Sequence, residues 1–253
     1  MPLILGTNSI KDTGYEVANS LRFNDGSSDS LTKTFSTPTN NKKFTISMWV
    51  KRTTLGGTHD LFHSGADNNN EFIVRLDNDD TFFIKQDQGG SEEMNYRTNR
   101  LFRDPSAWYH IVVAIDTTNA TAGNRQRIYI NGVEETSFSS SSDFSQDVDV
   151  EANKSASHSI GKRDFSASGF FDGYIAEVVF IDGQQLDATS FGEFDEDSPT
   201  IWKPKNVSGL TFGNNGFYLD FENSGSLGAD VSGNSNNFTV NNLTSVDQST
   251  DTC

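Results

Sequence analysis

The sequence is poor in cysteine and in long apolar runs. Cys253, the last residue, is the only cysteine among 253 residues, so no disulfide can form within the chain. No apolar run approaches the roughly 20 residues needed to span a bilayer. The start, MPLILG, lacks the basic region typical of a secretory signal. We therefore expect no membrane insertion, and folding in the cytoplasm in which the chain is made.

Positive charge is also scarce. The chain has 19 Lys and Arg residues against 35 Asp and Glu residues, which gives a net charge of −16 at pH 7. A field of this sign repels phosphate, so it argues against binding to nucleic acid or to an anionic membrane surface. It is compatible with cation binding and with a well-solvated acidic surface.

The 3.6-residue period of an amphipathic helix is nearly absent, and only residues 186–194 resemble a helix, for a turn or two. Alternation with a period of two is common instead. In KFTISMWVK, 43–51, four apolar side chains fall on one face: Phe44, Ile46, Met48 and Val50. Similar stretches predict further strands at NSLRFN, EFIVRLD, TFFIKQD, RIYINGVEE and YIAEVVFIDG. WYHIVVAID is apolar at every position from Ile111 to Ile115, which predicts a central strand covered on both faces.

RIYINGVEE, 127–135, predicts a β-hairpin. Asn131-Gly132 is the pair that best tolerates the positive φ of a two-residue type I′ turn. With this tip, Ile130 lies opposite Val133 and Tyr129 lies opposite Glu134. The alternation then predicts an inner face of Ile128, Ile130 and Val133, with Tyr129 facing outward.

These patterns predict an all-β fold, a two-sheet antiparallel jelly-roll sandwich in which the 20 Phe residues supply much of the core. We divide the chain into an N-terminal arm (1–18), the jelly roll (19–195) and a C-terminal extension (196–253) with one or two strands. LRFNDGS, 21–27, and LDFENSGS, 219–226, share a weak pattern. The extension is therefore either a closing part of the sandwich or the start of a second module.

Five segments, in order, carry a resemblance to a known family: FTISMWVKR, LFHSG, WYHIVVAID, RIYINGVEE and SIGKRD…FFDGYIAEVVFIDGQQLD. Over residues 19–195 they resemble the laminin-G-like and pentraxin-like concanavalin A-type jelly roll. The resemblance implies two curved sheets, sugar or protein binding at a rim or concave face, and sometimes a calcium ion. The tail, from WKPKNVSG onward, resembles segments beside such domains in virion proteins of marine bacteriophages.

Two loops offer candidate sugar-binding residues, because sugar sites combine an aromatic platform with polar hydrogen-bonding groups. They are ADNNNE, with Asp67, Asn68 and Asn69, and RDFSASGFFDG, with Asp164, Phe170 and Phe171. Phe171 suits the core equally well. Trp49 falls on the outer face of its strand, so we expect the arm, the tail or a neighbouring subunit to cover it as an interface.

Metal sites are weakly indicated. Residues 66–71 and DNDD, 77–80, offer oxygen ligands that suit calcium, but Asn and Asp are also ordinary turn residues. No other cofactor is indicated. His59 and His63 have the outer spacing of a helical zinc motif, yet the flanking glycines disfavour a helix. In a strand the two would lie about 13 Å apart, too far to share zinc, and we expect both to be partly exposed.

EFDED, 193–197, invites a glycosidase interpretation, because retaining enzymes use two carboxyl groups about 5–5.5 Å apart. The stretch ends at Ser198-Pro199, and a water-exposed strand end would not raise the pKa of an acid. We therefore predict a solvated loop and assign no catalytic residue.

Taken together, these observations favour a non-enzymatic phage virion structural protein: a fibre, tail or capsid decoration located in the virion and made in the host cytoplasm. Its expected partners are other virion proteins or copies of itself, and a cell-surface glycan. The alternatives are a bacterial carbohydrate-binding module or lectin and, less favoured, a glycan hydrolase.

Overall fold

The fold is described by a computed structural model for residues 15–253, so most of the predicted arm lies outside the described residues. The strands, in chain order, are β1 (Ser20–Phe23), β2 (Ser30–Thr34), β3 (Lys43–Arg52), β4 (His59–Asp67), β5 (Asn70–Leu76), β6 (Thr81–Gln88), β7 (Ser91–Leu101), β8 (Tyr109–Asp116), β9 (Gln126–Ile130), β10 (Val133–Glu134), β11 (Phe138–Ser142), β12 (Ser157–Ile160), β13 (Gly173–Asp182), β14 (Gly192–Phe194), β15 (Trp202–Pro204), β16 (Phe217–Leu219), β17 (Thr239–Asn241) and β18 (Gln248–Ser249). Short 3₁₀ helices span Asp25–Ser27, Ala122–Asn124, Glu151–Asn153, Ala188–Ser190 and Ser245–Asp247. Within residues 15–253 no helix is both long and apolar enough to cross a bilayer.

Two large antiparallel sheets form the sandwich, which confirms the predicted all-β class. Sheet A has the order β10-β9-β8-β3-β13-β1-β18, and β16 pairs with β13 as well. Sheet B has the order β11-β7-β6-β5-β4-β12-β2-β17. A small third sheet consists of β14 and β15.

The main core lies between sheets A and B and is rich in phenylalanine. Phe44 on β3 meets Phe72 on β5 edge-on across the sandwich, with ring centroids 5.4 Å apart. Phe180 stacks on Phe44 at 5.3 Å. The four residues predicted to face inward from β3 are all buried. Period-two alternation therefore identified the inner face of this strand correctly.

A second apolar cluster covers the outer face of sheet A. Tail residues Trp202 and Phe212 pack there with Trp49, Val112 and others from sheet A. Trp49 is only 4% exposed. Of the predicted alternatives, the tail is the segment that packs on it, and a contact with a neighbouring subunit is wrong for this side chain. β8 is buried on both faces, as its unbroken apolar run predicted.

The hairpin has the predicted register, with Val133 opposite Ile130 and Glu134 opposite Tyr129. Its predicted burial is partly wrong. Val133 is 56% exposed because β10 is a two-residue edge strand beyond the core, whereas Tyr129 is 7% exposed because the tail covers its face. Gly132 at the tip packs against the Trp202 ring.

A buried hydrogen-bond chain fastens the tail to sheet A. Trp202 Nε1 donates to His110 Nδ1 at 2.9 Å. Because Nδ1 accepts, the imidazole proton sits on Nε2 and is donated to Ser47 Oγ at 2.8 Å. Burial lowers the pKa of His110 to about 3, so the ring is neutral and this tautomer is fixed.

The extension contributes more strands than the one or two predicted. β16 pairs with β13, β17 with β2 and β18 with β1, while β15 pairs with β14. Three of these strands therefore join the large sheets. Within the described residues the tail closes the sandwich rather than starting a separate module.

A β-bulge interrupts β13, where the register against β3 shifts between Ala176 and Val179. Glu177 sits in the bulge with φ +50° and is 6% exposed. Its Oε2 lies 2.6 Å from the phenol oxygens of both Tyr15 and Tyr218, within hydrogen-bond distance. The bulge thus links the start of the described chain, the central sheet and the tail.

Candidate ligand-binding site

Three loops meet at one end of the sandwich because of the strand order in sheet A. Gly173, the first residue of β13, pairs with Phe23 at the end of β1 and with Arg52 at the end of β3. The loops after β1, after β3 and before β13 therefore leave the sheet side by side. They enclose an open cleft of about 300 Å³, which we call the rim cleft, lined by Asp25, Gly57, Thr58, His59, Gly169 and Phe170.

His59 is the buried polar group of this cleft. The residue is 3% exposed, and its Nδ1 has no hydrogen-bond partner among residues 15–253. Its ring lies edge-on to Phe171 at 5.9 Å. Burial, and next the charge of Arg52, lower the pKa of His59, so the imidazole is neutral near pH 7. A neutral imidazole offers one donor and one acceptor.

Two glycines leave the space in which the cleft forms. A Cβ on Gly57 would come within 2.6 Å of His59 Nε2. Gly169 has φ +67°, and a Cβ there would lie 2.2 Å from Asp60 Oδ2. Asp60 cannot easily move aside, because it is fully buried and accepts a 2.6 Å hydrogen bond from Arg75. Any larger residue at either position would close the cleft or displace its wall.

Arg52, whose charge acts on His59, is completely buried. Its Nη1 donates to Asp80 Oδ1 and to the Phe102 carbonyl, both at 3.0 Å. Its Nε and Nη2 are buried with no acceptor in the described part of the chain. Asp80 also accepts from Arg103 at 2.9 Å. The guanidinium charge is thus compensated from one side, while two donors remain unused.

A buried ionic cluster holds the loop before β13 against sheet B. Arg163 Nη2 donates to both oxygens of Glu71 at 2.6 Å, and His63 Nε2 lies 3.0 Å from Glu71 Oε2. Burial alone would raise the pKa of Glu71, but the hydrogen bonds from His63 and Arg163 outweigh it and hold that pKa below its usual value. Glu71 therefore stays ionised and the loop position is fixed.

The structure separates the predicted ligand residues. Phe170 lines the rim cleft and is half-buried. Phe171 is fully buried in the main core, with its ring 6.1 Å from that of Phe23, so its prediction as a ligand residue is wrong. Asp164 lies along the loop, where its carboxylate accepts from Ser157 Oγ at 3.0 Å.

Asp67, Asn68 and Asn69 do not lie near Phe170. They form the exposed turn after β4, whereas His59 begins that strand, and nine strand residues span about 26 Å. Asp67 Oδ1 accepts from the backbone N–H groups of Asn69 and Asn70 at 2.8 and 3.1 Å. The turn is thus stabilised by its own side chain, and it shares no site with the cleft.

The two loops considered for calcium lie at opposite ends of β5, so they cannot share an ion. In the second loop the carboxylates are engaged by arginine: Asp77 and Asp79 with Arg97, and Asp80 with Arg52 and Arg103. No group of three or more His, Cys, Asp or Glu side chains among the described residues is arranged to hold a metal. The structure therefore gives the calcium expectation no support.

The other candidates for chemistry are accounted for by packing and ion pairs. His59 and His63 both lie on β4, as predicted, but both are buried rather than partly exposed. In EFDED, Glu193 and Asp195 lie 3.6 and 3.2 Å from Lys203 Nζ. The hydrogen bond from Lys203 lowers the pKa of Asp195, which is the opposite of what a general acid requires.

Sequence reasoning missed Asp25 and Thr58, and it did not place His59 in a cleft. Asp25 and Thr58 sit in short polar turns that look alike throughout this chain. Only the pairing of β13 with both β1 and β3 brings them together, and no local pattern encodes that order. The glycine pair before His59, Gly56-Gly57, is a sequence signal for open space beside this residue, although on its own it argues only against a helix.

The fold and the cleft define a concanavalin A-like lectin-type sandwich. Residues 24–188 match the Laminin_G_3 family, described as the concanavalin A-like lectin/glucanases superfamily, and the chain belongs to this family. This confirms the laminin-G-like resemblance seen in the sequence. No curated protein sequence matches the chain.

Solved structures share the fold at low sequence identity. A candidate carbohydrate binding protein from Bacteroides ovatus is 16% identical, with a TM-score of 0.59 over 90% of this chain and 59% of that one. The NanB sialidase from Streptococcus pneumoniae is 14% identical, with a TM-score of 0.51 over 68% of this chain and 26% of the sialidase. The chain thus spans less than two thirds of either protein.

Proposed function

We propose that this protein is a non-catalytic glycan-binding module whose ligand occupies the rim cleft. The observation that carries the proposal is the meeting of an aromatic ring, a carboxylate and a buried neutral imidazole in one open cleft: Phe170, Asp25 and His59. Sugar sites need this combination, because a ring face packs on an aromatic side chain while hydroxyls exchange hydrogen bonds with fixed polar groups. The description of the Bacteroides ovatus relative as a candidate carbohydrate binding protein supports the same assignment.

The absence of catalysis is part of the proposal. Glycoside hydrolysis needs two carboxyl groups across the scissile bond, one of them with a raised pKa. Asp25 is the carboxylate that lines the rim cleft. The acidic run 193–197 belongs to the separate β14–β15 region, where Lys203 compensates its charge. Binding without turnover therefore accounts best for the described residues.

We further propose that the module belongs to a phage virion, as part of a fibre, tail or capsid decoration that recognises a host-surface glycan or neighbouring subunits. The resemblance of the tail to segments of marine phage virion proteins supports this role. The way the tail closes both sheets is consistent with a domain and extension that act as one unit. Mass spectrometry and negative-stain microscopy of purified particles would test it, and absence of the protein from virions would remove it.

A bacterial carbohydrate-binding module is the second candidate, and the likeness to the Bacteroides ovatus and NanB structures favours it. Such modules act beside other domains of a longer secreted protein, and the chain covers only part of each relative. Neighbouring genes discriminate the two: structural phage genes favour the virion, and a glycan-degrading locus favours the secreted module.

A glycan array followed by calorimetry tests the binding itself. Wild-type protein should bind a subset of glycans, and Phe170→Ala should weaken that binding by about fivefold or more, since stacking on an aromatic face contributes roughly 1 kcal/mol or more. Asn68→Ala, at the exposed turn on the far end of β4, is the matched control and should bind as the wild type does. Equal affinity of Phe170→Ala and wild type would contradict the rim cleft as the site.

A further inference from the structure

We propose that the rim cleft selects an uncharged sugar residue and rejects acidic sugars, with His59 as the hydrogen-bond anchor and Asp25 as the selective charge. This inference rests on the proposed function and deepens it by naming the ligand class. Three features of the cleft carry it: the surrounding charges, the orientation of the His59 ring and the size of the opening.

The charges around the cleft are unfavourable for an anion. Asp25 lines the opening, and the carboxylate of Asp172 also acts on His59. Lysine and arginine are missing from the lining of the cleft within the described residues. The cation whose charge acts on His59 is Arg52, which is fully buried and paired with Asp80 at 3.0 Å. A sialate or uronate carboxylate would therefore meet like charge without a compensating partner.

The His59 ring can be oriented from its surroundings. Nδ1 is buried and has no hydrogen-bond partner among the described residues, so a proton on Nδ1 would be a buried donor without an acceptor. The proton of the neutral ring then sits on Nε2. That atom faces Gly57, because a Cβ there would approach it to 2.6 Å. Nε2–H thus donates toward the cleft, where a sugar hydroxyl can accept.

The remaining lining fits a polyhydroxylated ring. The Asp25 carboxylate accepts hydrogen bonds and so pairs with hydroxyl donors, while Phe170 offers an apolar face. Nε2–H of His59 alone would serve a carboxylate as well as a hydroxyl, so Asp25 decides between them. A volume of about 300 Å³ is at the small end for ligand sites, which suits one terminal sugar residue.

Matched glycan pairs test this selection. The probes are oligosaccharides ending in a neutral hexose and the same chains capped with sialic acid or with a uronic acid, titrated by calorimetry at two salt concentrations. Wild-type protein should prefer the neutral member by roughly tenfold or more, and salt should reduce the preference because screening weakens exposed charges. Asp25→Asn should lose most of the preference, and Glu196→Gln, an exposed carboxylate outside the cleft, should keep it.

His59 is buried, so replacing it risks misfolding. The test therefore depends on variants of Asp25, which is exposed, and of Phe170, which is half-buried. Equal or tighter binding of the acidic glycans, or unchanged selectivity in Asp25→Asn, would overturn the inference while leaving glycan binding in place. Absence of binding to any glycan, or binding that Phe170→Ala leaves intact, would overturn the proposed site together with the inference.

Discussion

The contact between Glu177, Tyr15 and Tyr218 predicts how the stability of the fold depends on pH. The three oxygens, Glu177 Oε2 and the two phenol oxygens, lie 2.6 Å from one another. Three such contacts need three protons, and the two phenols supply only two. A protonated carboxyl supplies the third, so the geometry favours neutral Glu177. Ionisation would leave one short oxygen–oxygen contact without a proton.

The size and sign of the effect follow from the pKa. Burial raises the pKa of Glu177 from 4.5 to about 7. The tyrosine hydrogen bonds oppose this shift, and the charges of Asp220 and Glu222 add to it. The folded state therefore binds more protons than the unfolded state between these values. Stability from this group is complete below about pH 4.5 and is lost as pH rises through 7. The full loss is about 3 kcal/mol.

Urea unfolding from pH 5 to 8.5 measures this loss, with Glu177→Gln as the perturbation. The free energy of unfolding of the wild type should fall by about 2–3 kcal/mol relative to Glu177→Gln over this range, because glutamine cannot ionise. Glu196→Gln, which removes an exposed carboxylate outside this cluster, should keep the wild-type pH dependence. The comparison between variants removes the contributions of other carboxyl groups. Parallel curves for the wild type and Glu177→Gln would refute the reasoning.

Three other perturbations have defined outcomes. Trp202→Phe removes the donor to His110 Nδ1 and should lower the free energy of unfolding by about 1–3 kcal/mol, measured in urea; an unchanged midpoint would show that the tail is not fastened there. Gly169→Ala should lower the free energy of unfolding by more than about 1 kcal/mol and impair glycan binding, because its Cβ would meet Asp60. Gly56 has a similar positive φ, but a Cβ there would meet open space, so Gly56→Ala should lower the free energy of unfolding by less. Calcium should not raise the melting temperature, and a rise that EDTA reverses would contradict the assignment of the 77–80 carboxylates to arginine.

Alternation along β3 predicted the inner face of the sandwich because a strand buried on one side repeats every two residues. The outer face of sheet A was harder to predict. Trp49 and Tyr129 follow the same alternation and were assigned outward, yet the tail covers both. A period of two reports which side a residue faces, and it carries no information on whether a distant segment covers that side.

The candidate site could be predicted only in part for the same reason. Phe170 was identified from its aromatic and polar neighbours, but the identical argument also selected Phe171, which points into the core. Neighbouring residues in an extended segment face opposite ways, and sequence alone did not fix the phase. Asp67 was selected as a loop oxygen, although strand β4 carries it about 26 Å from the cleft.

Recognition of a glycan by this protein should take place in the rim cleft. Heteronuclear NMR titration with the neutral oligosaccharide that binds best on the array tests it most directly. The amide signals of Asp25, Thr58, His59 and Phe170 should shift in a saturable way, while those of Asn68 and Asn69 stay in place. Saturable shifts confined to the β4–β5 turn, or to any surface other than the rim cleft, would contradict the account.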